Sequence, residues 1–315
     1  MIKQNIDKAS ARIKKFIQKT PFEKSEMISK MVGAEVWLKM ENQQYTGSFK
    51  FRGAMNKMLT LDKSQLESGI YAASTGNHGA AVAYACQILN VPCIVYVPEK
   101  SSEAKLANMK NFGAEIRVHG EDCMEGELKA REVATRTGAI YVSPYNDADI
   151  VYGQGTIGEE IQSQCEGLDA IIVSVGGGGL ISGVGGYLKS IWPNIEVIAA
   201  SPENHAVMIK SLEQGEIVKI NPKPTISDGT AGGVEEGSIT FDYCQNFVDH
   251  SILLSEKEIE EGLIHILEKE RVLVEGAAGT SVAALIKMKN FLKGKKVGII
   301  LCGKNISMDV LRRIL

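Results

Sequence analysis

The sequence predicts an α/β protein of two domains, each built on an open, mostly parallel twisted sheet flanked by helices. Three observations point there. Short apolar runs rich in β-branched residues alternate with helix-periodic segments along nearly all of the 315 residues, the pattern of βαβ units. That length suits two domains, each with an ample core. The Gly/Asn-rich stretch "SPYNDADIVYGQGT" (Ser143–Thr156) interrupts the alternation and marks a junction. The expected division is a large domain of residues 1–65 and 146–315, with a smaller domain of residues 66–145 inserted into it.

In order, the first segment, Asn5 to Lys19, puts Ile6, Ala9, Ile13, Phe16 and Ile17 on one face. That is the stripe of a core-packed helix, favoured over a basic transit peptide. The run Glu35–Met40 reads as the first strand. Strands at Gly69–Ala73, Pro92–Val97, Ala114–His119 and Ile140–Val142 alternate with helices at Ala80–Leu89, Ala104–Phe112 and Met124–Thr137. The C-terminal half repeats the pattern, with strands at Ala170–Val175, Glu196–Ala200, Ile252–Ser255 and Lys296–Cys302 and helices at Glu256–Lys269 and Ala277–Lys289. The stretch Asn221–Ser238 is long, aperiodic and rich in Gly and Pro, as functional loops often are.

Composition narrows the function. Apolar residues make 44% and charged residues 23% of the chain, as in an ordinary globular protein. A net charge of −3, with both signs interspersed, gives no electrostatic case for nucleic acid or a membrane surface. The six cysteines lack CxxC or other metal-ligand spacing and read as reduced intracellular thiols. No signal-peptide core is evident, and no apolar run reaches the roughly 18 residues of a membrane span. The expected location is the cytoplasm, and no metal is expected.

Six motifs carry chemistry. In "YTGSFKFRGAMNK", Ser48 is the expected N-cap of a helix, so Lys50 falls in its first turn, where the macrodipole disfavours a cation. Such a lysine is either solvated or a group whose charge is suppressed. In "VSVGGGGLISG", Gly176, Gly177, Gly178 and Gly179 follow an apolar strand and precede a helix, which aims free N–H groups at one point. The lack of G-K-[ST], of G-x-G-x-x-G spacing and of an acid after the next strand argues against nucleotide and dinucleotide loops and favours a phosphate monoester, with a nucleotide-binding module a remote option. In "AASTGNHGAA", Ser74, Thr75 and Asn77 offer side-chain donors and Gly76 admits close backbone approach, which suits a carboxylate; His78 taken alone reads as a structural histidine. Finally, "SDGTAGG" presents Asp228 and Gly229, "VLVEGAAGT" places Glu275 before a small-residue helix, and "IILCGKNIS" ends a buried strand at Cys302.

Together, a lysine with a reason for a depressed pKa, a phosphate cup and a carboxylate loop describe a pyridoxal phosphate site acting on amino acids. The segments "GSFKFRG", "STGNHG", "YGQGTIG", "VGGGGLISG", "VEGAAG" and "CGKN" resemble the landmarks of fold-type II pyridoxal phosphate enzymes. Within these the chain is similar to the threonine/serine dehydratase and serine racemase branch. The discriminating position is Phe51 after Lys50, where cysteine and threonine synthases typically carry aspartate. The resemblance implies Lys50 as the Schiff-base lysine with Phe49 beside the cofactor ring. It implies Asn77 at the ring oxygen, Gly176–Gly179 at the phosphate, and Glu275 and Cys302 near the pyridine nitrogen. The residues Ser74, Thr75, Gly76, Asn77 and His78 would hold the substrate carboxylate, with Asp228 and Gly229 also against the substrate.

The departures from the family pattern are informative. Cys302 stands where a serine or threonine is usual. Thr75 takes the place of the racemases' second base, a serine. Ser201, His205 and Val207 stand where racemases hold a divalent metal, without its carboxylates, which counts against a metal and against racemization. The implied reaction is β-elimination of water and ammonia from L-threonine or L-serine, with Lys50 as general base. Serine racemization or 3-hydroxyaspartate dehydration on the same scaffold is the alternative. A non-catalytic cofactor-binding carrier or regulatory protein is a remote third. The chain ends at Leu315 without an added regulatory domain, so isoleucine feedback is not expected. The resemblance implies a homodimer or homotetramer, and the only other partner expected is a small-molecule amino acid.

Overall fold

The computed structural model describes residues 2–101 and 103–315 and contains two sheets. The larger runs in the order β1-β2-β10-β7-β8-β9. Its strands are β1 (Phe22–Lys24), β2 (Glu35–Lys39), β7 (Ala170–Ser174), β8 (Glu196–Pro202), β9 (His250–Leu254) and β10 (Lys296–Ile300). Only β1 is antiparallel to its neighbour. The smaller sheet runs β5-β4-β3-β6, all parallel, from β3 (Ile70–Ala73), β4 (Cys93–Val97), β5 (Glu115–Val118) and β6 (Ile140–Tyr141). Every residue of β3 and β7 is buried, which explains their unbroken apolar composition: a central parallel strand is covered on both faces.

Each strand expected from the sequence is present. The addition is β1, whose three residues are too few to show a period. The N-terminal helix spans Ile2–Ile13 and ends earlier than expected. Its face serves two cores: Ile6 belongs to that of the larger sheet, while Ile13 joins that of the smaller, against which Phe16 and Ile17 also pack. The segment around Ser143–Thr156 is half helix, because Asp147 caps Ala148–Gln164 by accepting from the N–H groups of Asp149 and Ile150. No helix among the described residues is long and apolar enough to cross a membrane.

The Lys50–Met58 helix lies between the two halves. Phe51, Ala54, Met55 and Met58 share its apolar face and are buried with strands β3 and β4 of the smaller sheet. Its opposite face meets the Ala148–Gln164 helix, with Asn56 donating to the Asp149 carbonyl at 2.6 Å. Glycine makes that crossing possible. A Cβ on Gly153 would lie 2.5 Å from the Gly53 Cα and 2.7 Å from the Arg52 carbonyl, closer than backbone can tolerate. Likewise a Cβ on Gly183, in the Gly179–Ile191 helix, would lie 2.4 Å from the Val151 carbonyl. The helices carrying Lys50 and the tetraglycine are thus packed on a common neighbour.

A buried charge cluster reinforces this packing. Arg52 is wholly buried, donating to both oxygens of Glu41 at 2.8 Å and to those of Glu160 at 2.8 and 2.9 Å. Lys39, equally buried, donates to Glu160 at 2.6 Å. Two cations and two carboxylates neutralise one another, the condition under which charge is tolerated in a core. Burial pushes the Glu160 carboxyl up, but Arg52 and Lys39 outweigh it and hold it below the usual carboxylate range.

Candidate active site

In parallel sheets, ligands collect outside the carboxyl ends of the strands. Strand β3 ends into Ser74–Gly76, β7 into the tetraglycine, and β10 into Cys302 and Gly303. These ends face a cavity of about 450 Å³, open mouth included, which Lys50, Asn77, the four glycines, Glu275 and Cys302 help to line.

Lys50 is the first residue of its helix, as expected, but Ser48 does not cap it. Phe49 occupies the cap position in helical conformation, and the buried Ser48 hydroxyl has no hydrogen-bond partner among the described residues. The backbone there is drawn to the segment after β10 instead: Ser48 bridges Gly303, and Phe49 N–H donates to the Cys302 carbonyl at 3.0 Å. Lys50 Nζ donates to the Pro144 carbonyl at 2.9 Å and lies 5.3 Å from the Phe49 ring centre. Burial lowers its pKa to about 8, although the acidic groups of Cys302 and Glu275 oppose the shift.

The tetraglycine is a built cup rather than a loose turn. The N–H groups of Gly176, Gly177, Gly178, Gly179 and Leu180 find no acceptor among the described residues. They converge at the start of the thirteen-residue Gly179–Ile191 helix, with its positive dipole end. Gly178 has φ 85°, which favours glycine. Tyr145, which also lines the cavity, is packed against the cup: a Cβ on Gly177 would lie 2.4 Å from its ring. Thr240 donates to the Gly177 carbonyl at 2.6 Å and fixes the peptide orientation.

The carboxylate-type loop leads into the Asn77–Leu89 helix. The N–H groups of Thr75, Asn77 and His78 find no acceptor among the described residues, while Gly76 N–H donates to the Ser74 hydroxyl at 3.1 Å. Asn77 lines the cavity. Ser74, Thr75, Gly76 and His78 are not among the residues that line it; Thr75 and Gly76 are half-buried, and a Cβ on Gly76 would touch nothing. The His78 ring is turned to the Val142 carbonyl, 2.8 Å away, and burial lowers its pKa to about 3. It is a neutral core histidine, so His78 can offer an anion only its backbone N–H. Gly229 reaches the cavity, whereas the Asp228 side chain is exposed.

At the far end, Cys302 is buried and its thiol is pushed well above its ordinary pKa, chiefly by burial. Ser174 donates to its sulfur at 3.6 Å. Glu275, also buried, accepts from Asn77 Nδ2 at 2.7 Å and from Asn305 N–H at 2.9 Å. A Cβ on Gly303 would strike that carboxylate at 2.6 Å. Ser201 donates to the His205 carbonyl at 3.5 Å and the Val207 side chain is buried. No group of three His, Cys, Asp or Glu side chains suited to a metal ion occurs among the described residues.

Three residues of the site were not singled out from the sequence. Asn305 lay in "CGKN" without a role, Ser174 in the strand before the glycines, and Tyr145 in the junction segment. Each is an ordinary polar or aromatic residue whose place depends on a contact distant in sequence.

A model of the pyridoxal-phosphate dependent enzyme family matches residues 13–303. The chain belongs to this family. An L-threonine ammonia-lyase of Thermotoga maritima is 38% identical over 99% of the chain and 77% of its own length. A serine racemase of Dictyostelium discoideum is 38% identical over 99% of the chain and 97% of its own length. Among solved structures, threonine deaminase isoform 2 of Solanum lycopersicum superposes with a TM-score of 0.94 at 30% identity, covering 99% of the chain and 92% of the deaminase. Pyridoxal 5'-phosphate is the cofactor of the family, and the donor set fits it. The glycine N–H groups without acceptors match a phosphate, the half-buried amine of Lys50 matches an aldehyde, and the weakly acidic Cys302 thiol can stay neutral beside a ring nitrogen.

Proposed function

We propose that this chain is a pyridoxal phosphate-dependent ammonia-lyase that removes water and ammonia from L-threonine or L-serine, giving 2-oxobutyrate or pyruvate. One observation carries the reading: the Lys50 amine, the acceptor-free glycine N–H groups and the Asn77 amide share a single cavity. When bound, the cofactor supplies an electron sink for the charge left at the substrate Cα.

The chain supplies the rest. Gly176–Gly179 hold the phosphate, and Thr75, Asn77 and His78 present backbone N–H groups to the substrate carboxylate. Lys50 takes the proton from Cα. With a pKa of about 8, about a tenth of its amines are neutral at pH 7, against roughly 0.03% for an ordinary lysine. Phe49 lies beside the amine, and the neutral Cys302 thiol, which lines the same cavity, would stand near the ring nitrogen of the bound cofactor without adding charge. Replacing Lys50 with Ala tests the assignment. Keto-acid release is expected to fall by about a thousandfold or more, and a variant of normal rate would refute it.

Racemization of serine is the second reading. It is favoured by the 38% identity to the Dictyostelium serine racemase and by the hydroxyl that Thr75 retains two residues before the cavity-lining Asn77. D-serine accumulation from L-serine measures it.

A further inference from the structure

Asn77 lines the cavity, yet both ends of its side-chain amide are already engaged. Nδ2 donates to one oxygen of Glu275 at 2.7 Å, and Oδ1 accepts from Asn305 Nδ2 at 2.6 Å. Asn305 closes the circuit from two directions. Its backbone N–H donates to the other Glu275 oxygen at 2.9 Å, and its second amide hydrogen goes to the Thr46 carbonyl at 3.0 Å.

The ends of this circuit allow only one arrangement. A carboxylate accepts and cannot donate, and so does a backbone carbonyl. The Thr46 carbonyl therefore forces the NH₂ side of Asn305 toward Asn77, and that NH₂ requires Oδ1 of Asn77 opposite it. Glu275 demands the same orientation from the other side. Turning the Asn77 amide over would set oxygen against carboxylate and NH₂ against NH₂ at once. One N–H of Asn77 is left over, on a residue that faces the cavity.

We infer that Asn305 is a positioning residue: it fixes the Asn77 amide so that its spare N–H, rather than its oxygen, is presented to the ring oxygen of the cofactor. Asn305 also ties down Thr46, four residues before Lys50, so one side chain aligns the amide and the approach to the lysine helix. This inference rests on the cofactor-site reading above.

Asn305→Asp tests it, since it keeps size and the backbone donor but turns the donor facing Asn77 into an acceptor. Neither orientation of Asn77 then avoids an oxygen–oxygen contact. Two quantities are read on the reconstituted protein: the dissociation constant for pyridoxal phosphate, and the pH at which the bound cofactor's visible absorbance titrates. At least a tenfold weaker constant and a titration moved upward by a unit or more are expected. Asn305→Ala, which removes the partner without repulsion, is expected to shift both in the same direction by less. In an Asn77→Ala background, Asn305→Ala is expected to leave the titration where the single Asn77→Ala variant puts it, because Asn305 acts through Asn77. Wild-type values for the titration and the constant in folded Asn305→Asp overturn the inference, as does an additive shift in the double variant. If Asn305→Asp does not fold, Asn305→Ala and the double variant decide by the same criteria. Failure of the wild-type protein to bind pyridoxal phosphate saturably would instead refute the underlying reading.

Discussion

Lys50 is a first-turn lysine against the helix dipole, and its setting removes the usual compensation for that placement. It has a carbonyl acceptor and a phenylalanine ring nearby, and burial carries its pKa to about 8. The sign of the consequence is fixed. A general base acts when deprotonated, and the Lys50 amine is free only in the substrate-bound enzyme, so kcat for the amino acid is expected to rise with pH up to about 8 and level off above it. A pH–rate profile flat from 6.5 to 9.5 would show that this amine is not the base. At this scale the sequence was legible where chemistry is written in residue type: the lysine between two phenylalanines and the run of glycines. It misled on Ser48, whose N-cap reading failed because the segment after β10 captures the backbone at that point. It was equally silent on Asn305, since nothing in an isolated asparagine reveals partners 228 residues away.

The Lys50–Met58 helix shows how an element is held in place. Its apolar face reads directly from the 3.6-residue period of Phe51, Ala54, Met55 and Met58. Its other face follows a different logic, a close glycine crossing and a buried ion cluster, neither of which produces a periodic signal. Arg52, two residues past Lys50, pins this face to Glu41 and Glu160. Replacing Arg52 with Met removes both cationic contacts and leaves two carboxylates buried beside only Lys39. A loss of about 3–5 kcal/mol in urea unfolding is expected, because breaking a buried pair leaves charge uncompensated. The loss should shrink as pH falls and the carboxyls protonate; a pH-independent loss would contradict the electrostatic account. "SFKFRG" thus joins two jobs in six residues, an amine at the cavity and a guanidinium that anchors its helix.

For the whole molecule, the strand order places three loops at the carboxyl ends of parallel strands, and those ends surround one cavity. The alternation of strand and helix made this architecture readable, because parallel strands covered on both faces leave continuous apolar runs. The three-residue β1 was not readable, being too short for a period, and the convergence of the sheets could be inferred only from motif chemistry. That convergence is the ground for assigning elimination. The direct test is one reaction of the reconstituted enzyme with L-threonine and another with L-serine, followed for keto acid, ammonia and the D-amino acid. The account predicts 2-oxobutyrate and pyruvate in equal amounts with ammonia and as the main products. D-serine accumulating without keto acid, or neither product forming, would contradict it.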